Sequence, residues 1–340
     1  MRDEYISCPF FSLSFILYPL FFILFIVEET ISEFLQMHCP ARPRLLLGLS
    51  GGPDSMALFR LLIGEGYPFE VAHIDHGWRP ESGEEAIELE SLCRNEGVAF
   101  HKKQLGLSGL RNMEDEARRA RLAFFKQVLE QRGLEGVLLA HQADDQAETV
   151  LKRLFEGASL PKLKGLVPRT TVEGMVVYRP FLKVRKSDII KWLDARRISY
   201  FQDPTNADPR FLRSRLRDTL MPLLSSHFGK QVAPGLCRIG ESAAELGEFL
   251  EAQLRPYTCR IRKIENGVSL DFAAEPLPSS FLCKALIRHL FDSRRLALSN
   301  PVLETILDHL QKGSCHKSLT VGRQAVLIHR KQLTIQGNSL

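Results

Sequence analysis

"LLLGLSGGPDSMALFRLL", running from Leu45 to Leu62, is the stretch on which the fold of this chain turns. Leu45 to Leu49 form a short apolar run that ends at a glycine-rich turn, the pattern of a strand buried on both faces. Beyond the turn, Met56, Leu58, Phe59, Leu61 and Leu62 give a helix with a broad apolar side. A strand therefore delivers the chain directly into a helix N-terminus. Gly51 and Gly52 permit a tight turn and present bare N–H groups, and the helix dipole adds positive potential there. Ser50, Asp54 and Ser55 add two hydroxyls and a carboxylate. Such a corner suits a phosphate group, with Asp54 placed to hold a cation beside it. An ordinary strand-to-helix turn, in which Asp54 or Ser55 only caps the helix, fits the same residues. Neither the Walker A string G-x-x-x-x-G-K-S/T nor the dinucleotide fingerprint G-x-G-x-x-G occurs here, so a nucleotide would bind in another way.

Outward from this stretch, strand and helix alternate. "FEVAHIDHGWR" (69–79) reads as a second strand ending in His73, Asp75, His76 and Arg79. A charged helix follows around 82–96, a third strand at 98–105, and a helix at 113–133 closed by Gly133. "GVLLA" (136–140) is another buried strand, opening onto "HQADDQAETVLKRLFEG". The alternation predicts an α/β fold, a doubly wound and mainly parallel sheet. Ligands of such sheets sit beyond the carboxyl ends of the strands. Three polar clusters fall there: Ser50 to Ser55, His73 to Arg79, and His141 to Glu148.

Around 157–178 the pattern dissolves into Gly, Pro and Lys, which reads as a loop or hinge able to close on a substrate. A helix is expected from Ser187, capped by Ser187 or Asp188, then a turn into the basic segment "RFLRSRLRD". From about Gly229 the chain is helical and amphipathic, ending in strand-like runs such as "QAVLIHRKQLTIQ". Three regions result: an N-terminal extension (1–36), an α/β domain (37–225), and a smaller, mostly helical C-terminal domain (226–340).

Composition sets further bounds. The 340 residues are 44% hydrophobic, enough for two cored domains. Seven cysteines are scattered without a C-x-x-C, which argues against a zinc ribbon, an iron–sulfur cluster or a redox dithiol and suits thiols of a reducing cytosol. The net charge of +5 hides an asymmetry: residues 1–178 carry 19 Lys and Arg against 25 Asp and Glu, whereas 179–340 carry 26 against 15. A basic rear half points to a polyanion, nucleic acid being the usual one. Residues 9–27, "PFFSLSFILYPLFFILFIV", carry no charge. They read as a membrane anchor, a packed helix, or residues preceding a start at Met37. The character of the chain after Met37 favours the last reading, and a membrane partner enters only if the stretch is translated and used.

The acidic cluster has useful spacing if its helix starts near Ala143. Asp144 and Glu148 are four apart and Asp145 and Glu148 three apart, so they share a face. They suit Mg²⁺ or a cationic amine, and equally they would offset the dipole of a helix start. His141 is a candidate proton carrier or a plain hydrogen-bonding group. Arg118 and Arg121, and Arg213 and Arg217, form couples able to reach a phosphate, or else solvated stripes.

Together these motifs carry a resemblance. "SGGPDS" matches the pyrophosphatase-type loop of the N-type ATP pyrophosphatases, which cleave ATP to AMP and pyrophosphate. "HIDHGWR", "NMEDEARRAR", "HQADDQAETVLKRL", "RPFLKVRKSDI" and "DPTNADPRFLRSRLR" resemble, in the same order, the tRNA(Ile)-lysidine synthases. The resemblance covers about 45–225 and implies an adenine nucleotide alpha hydrolase-like fold, with 37–225 as the catalytic domain and 226–340 as a C-terminal tRNA-binding domain. It implies ATP and Mg²⁺ as cofactors, tRNA(Ile) with a CAU anticodon and free L-lysine as partners, no obligate protein partner, and a cytoplasmic location. The C2 oxygen of the wobble cytidine would be adenylated and the lysine side-chain amine would then displace AMP. Ser50, Gly51, Gly52, Pro53, Asp54 and Ser55 would hold ATP, with Asp54 on Mg²⁺, and His73, Asp75 and His76 would flank the adenosine. Asp144, Asp145 and Glu148 would take the lysine ammonium or the metal. Arg118, Arg121, Arg213 and Arg217 would face ATP or tRNA phosphate, Arg118 with the catalytic group. The sequence departs from the family at Gln142 (usually His), Glu156 to Ser159 (an R-G-S-G-like loop), Ser214 (Asn) and Leu122 (Tyr). Another modifying enzyme with the same loop, or a catalytically silent tRNA-binding protein, is the alternative reading.

Overall fold

The computed structural model describes residues 11–75, 77, 81–105, 113–202, 208–273 and 279–337, with side chains except at 11–22 and 113–115. Within the first unit, which runs through Glu241, the elements are α1 (Phe11–His38), β1 (Leu45–Gly48), α2 (Pro53–Gly64), β2 (Phe69–Asp75), α3 (Ser82–Asn95), β3 (Phe100–Gln104), α4 (Met113–Arg132), β4 (Val137–Leu138) and α5 (Ala143–Phe155). They are followed by a 3-10 helix (Leu160–Lys164), β5 (Arg169–Val172), β6 (Met175–Tyr178), α6 (Lys186–Ala195), α7 (Leu212–Arg215), a π-helical turn (Leu216–Leu220), α8 (Met221–His227) and the start of α9 (Ala233–Thr258).

Six strands form one sheet in the order β3-β2-β1-β4-β6-β5, parallel throughout except for the β5–β6 pair. The pleat explains why β1 reads as an unbroken apolar run. Leu45 and Leu47 face a cluster built from α1, α2 and α6, while Leu46 faces Phe124, Phe125 and Val128 of α4. Because β1 pairs with β2 on one side and β4 on the other, the strand order reverses at β1/β4. This is the switch point where open α/β sheets bind ligands.

Three differences from the sequence reading have physical causes. Val27, Ile31, Phe34 and Leu35 of α1 are buried in the main core with Leu45, Leu58 and Trp192. Glu28 accepts hydrogen bonds from Trp192 Nε1 (3.3 Å) and Arg196. This part of the N-terminal stretch is thus a packed helix, and among the described residues no helix is long and apolar enough to cross a membrane. The stretch expected to be a loop contains the β5–β6 hairpin, turned at Glu173 (φ 49°) and Gly174 (φ 84°). The 3-10 helix before it is fastened to α5: Gln146 Nε2 donates to Lys164 O (2.8 Å) and Arg153 Nη1 to Gly165 O (2.9 Å). Finally, α6 starts at Lys186 with Arg185 as its cap residue and no side-chain cap, so neither Ser187 nor Asp188 plays that part.

The division between units falls after Glu241, later than the change in composition near 225, because Ala233 and Leu236 of α9 pack with Ala147, Val150 and Leu151 of α5. From Ser242, the second unit holds the rest of α9, β7 (Ile261–Ile264), β8 (Gly267–Asp271), α10 (Ser280–Ser293), α11 (Asn300–Gln311), β9 (Lys317–Val321), β10 (Gln324–His329) and β11 (Gln332–Gln336). Its five strands form an antiparallel sheet, β7-β8-β11-β10-β9. Leu286, Leu290 and Phe291 of α10 and Ile306 of α11 cover it, meeting Val326, Ile328, Leu333 and Ile335. Helices and a small sheet share this unit; its helices were expected, and of its strands only the last.

Candidate active site

At the carboxyl ends of β1 and β4 lies a cavity of about 230 Å³, lined on one side by Ser50, Asp54 and Ser55 and on the other by His141 and Asp145, with Arg121 reaching in from α4. Gly51 turns the chain at φ +81° and Gly52 becomes the N-cap of α2, with Pro53 next. No side chain caps this helix, so its first N–H groups stay open to an anion. The serines brace the loop instead. Ser50 N–H donates to Ser55 Oγ (3.2 Å), the two hydroxyls lie 3.0 Å apart, and Ser55 Oγ donates to Gly52 O (3.1 Å). Asp54 and Ser55 therefore do not act as side-chain caps.

Asp54 Oδ1 is buried without a hydrogen-bond partner. Burial raises its pKa to about 6, with Lys186 opposing and Asp145 reinforcing the shift. An orphaned carboxylate oxygen beside an open helix N-terminus fits a cation bound together with a phosphate. Mg²⁺ retains waters and needs only one or two carboxylates when phosphates complete its shell. Among the described residues there is no cluster of three or more His, Cys, Asp or Glu suited to a metal.

The acidic residues begin α5 as expected. Gln142 N-caps it in a capping box, Asp144 N–H donating to Gln142 Oε1 while Gln142 N–H donates to Asp145 Oδ2 (3.0 Å). Each carboxylate then has a basic partner far along the chain. Asp144 meets Arg185 (2.8 Å) and accepts the Lys186 N–H (2.9 Å), which supplies α6 with its missing cap. Arg217, from the π-helical turn, lies across Glu148 (Nε to Oε1, 2.8 Å) and reaches Asp145 (Nη2 to Oδ1, 3.4 Å). Burial raises the pKa of Glu148, outweighing the neighbouring guanidinium. Replacing Arg217 by alanine would leave this buried carboxylate unpaired and lower stability by about 2–4 kcal/mol, read as the midpoint of denaturant unfolding. Adding Glu148→Gln is expected to recover part of that loss.

A second electrostatic feature surrounds His141. Burial and the charges of Arg179, Arg213, Arg121 and Arg118 push its pKa down to about 3, which favours the neutral imidazole near pH 7. Arg179, which the sequence reading did not single out, is buried; its Nη1 donates to Val167 O (3.0 Å) and its Nε has no partner. The charges of four arginines reaching one buried neutral ring make an environment suited to an anion. Arg118 is exposed on α4. His73 and Asp75 do not line the cavity, which takes the alternate residues Ala72 and Ile74 of β2. His73 Nδ1–H donates to Leu49 O (2.8 Å), bracing the loop from behind, and Asp75 accepts the Gly77 N–H (2.8 Å). His76 lies outside the described residues.

Residues 25–224 match the PP-loop domain family. Over 276 residues, 81% of this chain and 86% of that protein, the chain is 43% identical to the tRNA(Ile)-lysidine synthase of Chlamydia pneumoniae. This chain belongs to the tRNA(Ile)-lysidine synthase family. It is also 39% identical over 298 residues to the enzyme of Chlamydia muridarum (strain MoPn / Nigg), covering 87% of this chain and 92% of that one. Among solved structures, a U34-tRNA thiolase from Methanococcus maripaludis shares the fold, with a TM-score of 0.53 and 16% identity over 66% of this chain and 79% of that chain. The departures from the lysidine synthase pattern leave the cavity lining untouched. Gln142 is the N-cap of α5, Leu122 is a core residue, Ser214 Oγ donates to Asp218 (3.1 Å), and Glu156 is the C-cap of α5.

Proposed function

We infer that this chain forms lysidine on tRNA(Ile) in an ATP-dependent reaction, as a carbon–nitrogen ligase of the cytoplasm acting on free L-lysine without an obligate protein partner. The C2 oxygen of the wobble cytidine of the CAU anticodon attacks the α-phosphorus of ATP, and the bond to pyrophosphate breaks. The side-chain amine of lysine then attacks C2, AMP leaves with the oxygen, and the amine gives up a proton. The observation that carries this reading is the pairing, across one switch point, of an open helix N-terminus at Ser50 to Ser55 with the carboxylates of α5.

The residues divide the work by chemistry. The N–H groups after Gly51 take the pyrophosphate end of ATP, as helix starts do for anions. Mg²⁺, held by Asp54, would offset charge building on the departing phosphates. Arg118, Arg121, Arg179 and Arg213 supply the positive field for the α-phosphate and the tRNA backbone. Among the acidic residues, Asp145 is the one that lines the cavity: its Oδ2 is held by the Gln142 N–H, and Arg217 meets its Oδ1 only at 3.4 Å. It is suited to hold the lysine amine in reach of C2, while Glu148 and Asp144 keep Arg217 and Arg185 in place. The products test the reading. With tRNA(Ile) and lysine present, ATP is expected to yield AMP and pyrophosphate in equal amounts, and ADP as the product would overturn it.

A further inference from the structure

We infer that Phe201 is a positioning residue for the nucleotide loop, holding the Gly51–Gly52 peptide so that the Gly52 N–H faces the anion site. The inference rests on ATP binding at this loop, as proposed for the function. Phe201 follows α6 and is remote in sequence from the loop, yet its N–H donates to Gly51 O at 2.9 Å. Its ring packs against the same residue: a Cβ at position 51 would stand 2.4 Å from Phe201 Cδ2 and 3.0 Å from Cε2. Leu89, 3.3 Å from that point, forms the other wall. Phe201 is itself anchored, since it packs with Ile198 and Tyr200 against the main core.

The consequence follows from peptide geometry. A trans peptide is planar, with C=O and N–H pointing in opposite directions. Pinning the Gly51 carbonyl toward Phe201 therefore aims the Gly52 N–H the other way. On that side the N–H has only a long 3.4 Å contact with Ser50 Oγ, and the N-cap it belongs to has no side-chain cap. A phosphate oxygen arriving there finds a donor already oriented, which lowers the ordering cost of binding. Gly51, at φ +81° and under the ring, tolerates no side chain.

The test measures binding of Mg²⁺ and α,β-methylene-ATP to the full chain by calorimetry, with tRNA binding measured in parallel. Phe201→Ala keeps the backbone donor but removes the ring that packs on Gly51 and holds that donor in place; it is expected to bind the analogue about tenfold more weakly, Phe201→Tyr to match the unsubstituted protein, and tRNA affinity to stay constant. Equal nucleotide affinity in Phe201→Ala overturns the inference, as does an equal loss of nucleotide and tRNA binding. Should Phe201→Ala not fold, Phe201→Leu decides: weakening by about threefold supports the inference and unchanged affinity overturns it. If the unsubstituted chain fails to bind the analogue, the ATP reading itself falls, and the inference with it.

Discussion

Asp54→Asn is expected to lower tRNA-dependent pyrophosphate release by about 10²- to 10³-fold while making the ligand-free protein more stable. The substitution keeps shape and removes charge. Function loses the one carboxylate oxygen at the loop that no protein group satisfies. Stability moves the other way, because burial raises the folded pKa to about 6 from 3.8. An acid whose pKa is raised on folding binds its proton more tightly in the native state, so its ionisation opposes folding. That opposition is absent below pH about 4, grows through pH about 6 and is complete above it, amounting to about 1–3 kcal/mol. The variant should therefore unfold later than the parent at pH 7.5 in chelator and together with it at pH 4. Equal midpoints at pH 7.5 would show that Asp54 is not held under that burden.

Deleting residues 1–36 is expected to abolish folding. The deletion removes Val27, Ile31, Phe34 and Leu35 from the main core, and Glu28 from Trp192 and Arg196. Each apolar side chain contributes about 1.5–3 kcal/mol on burial. The four together are comparable with the whole stability of a typical domain, about 5–15 kcal/mol. A chain beginning at Ile23 keeps all of them and should show a cooperative thermal transition; a chain beginning at Met37 should not. A folded Met37 form would show that α1 is dispensable to this core.

That expectation also marks where sequence reading reaches its limit. Strand β1, the turn at Gly51 and Gly52 and the apolar side of α2 were legible because they are local: an apolar run, two glycines, then a helical period. So were the three polar clusters after strands, two of which line one cavity. The apolar stretch around Val27 was ambiguous, since a packed helix and a membrane span use the same residues and differ only in what lies beside them. Likewise, the carboxylates of α5 were visible but their partners were not. Arg185 is 41 residues from Asp144, and Arg217 is 69 from Glu148, beyond any periodic pattern. Arg217 accordingly read as a phosphate ligand, whereas it lies on Glu148 and Asp145. Arg179 was hidden for a similar reason: only the fold brings it to His141. The β5–β6 hairpin was overlooked although "TTVEGMVVY" carries β-branched residues around Glu173-Gly174, a turn pair suited to a hairpin. The short stretch of Gly, Pro and Lys before it drew the reading toward a loop.

The most direct measurement is lysine transfer. The full chain would be incubated with Mg-ATP, radiolabelled lysine and tRNA(Ile) bearing a CAU anticodon, beside a methionine tRNA with the same anticodon. Label stably attached to the isoleucine tRNA alone, with AMP and pyrophosphate released, is the predicted result. Pyrophosphate release without label would retain the nucleotide chemistry and contradict lysine as the acceptor. With neither product, in folded protein that still binds tRNA, the chain would be a tRNA-binding protein, and lysidine formation would not be its activity.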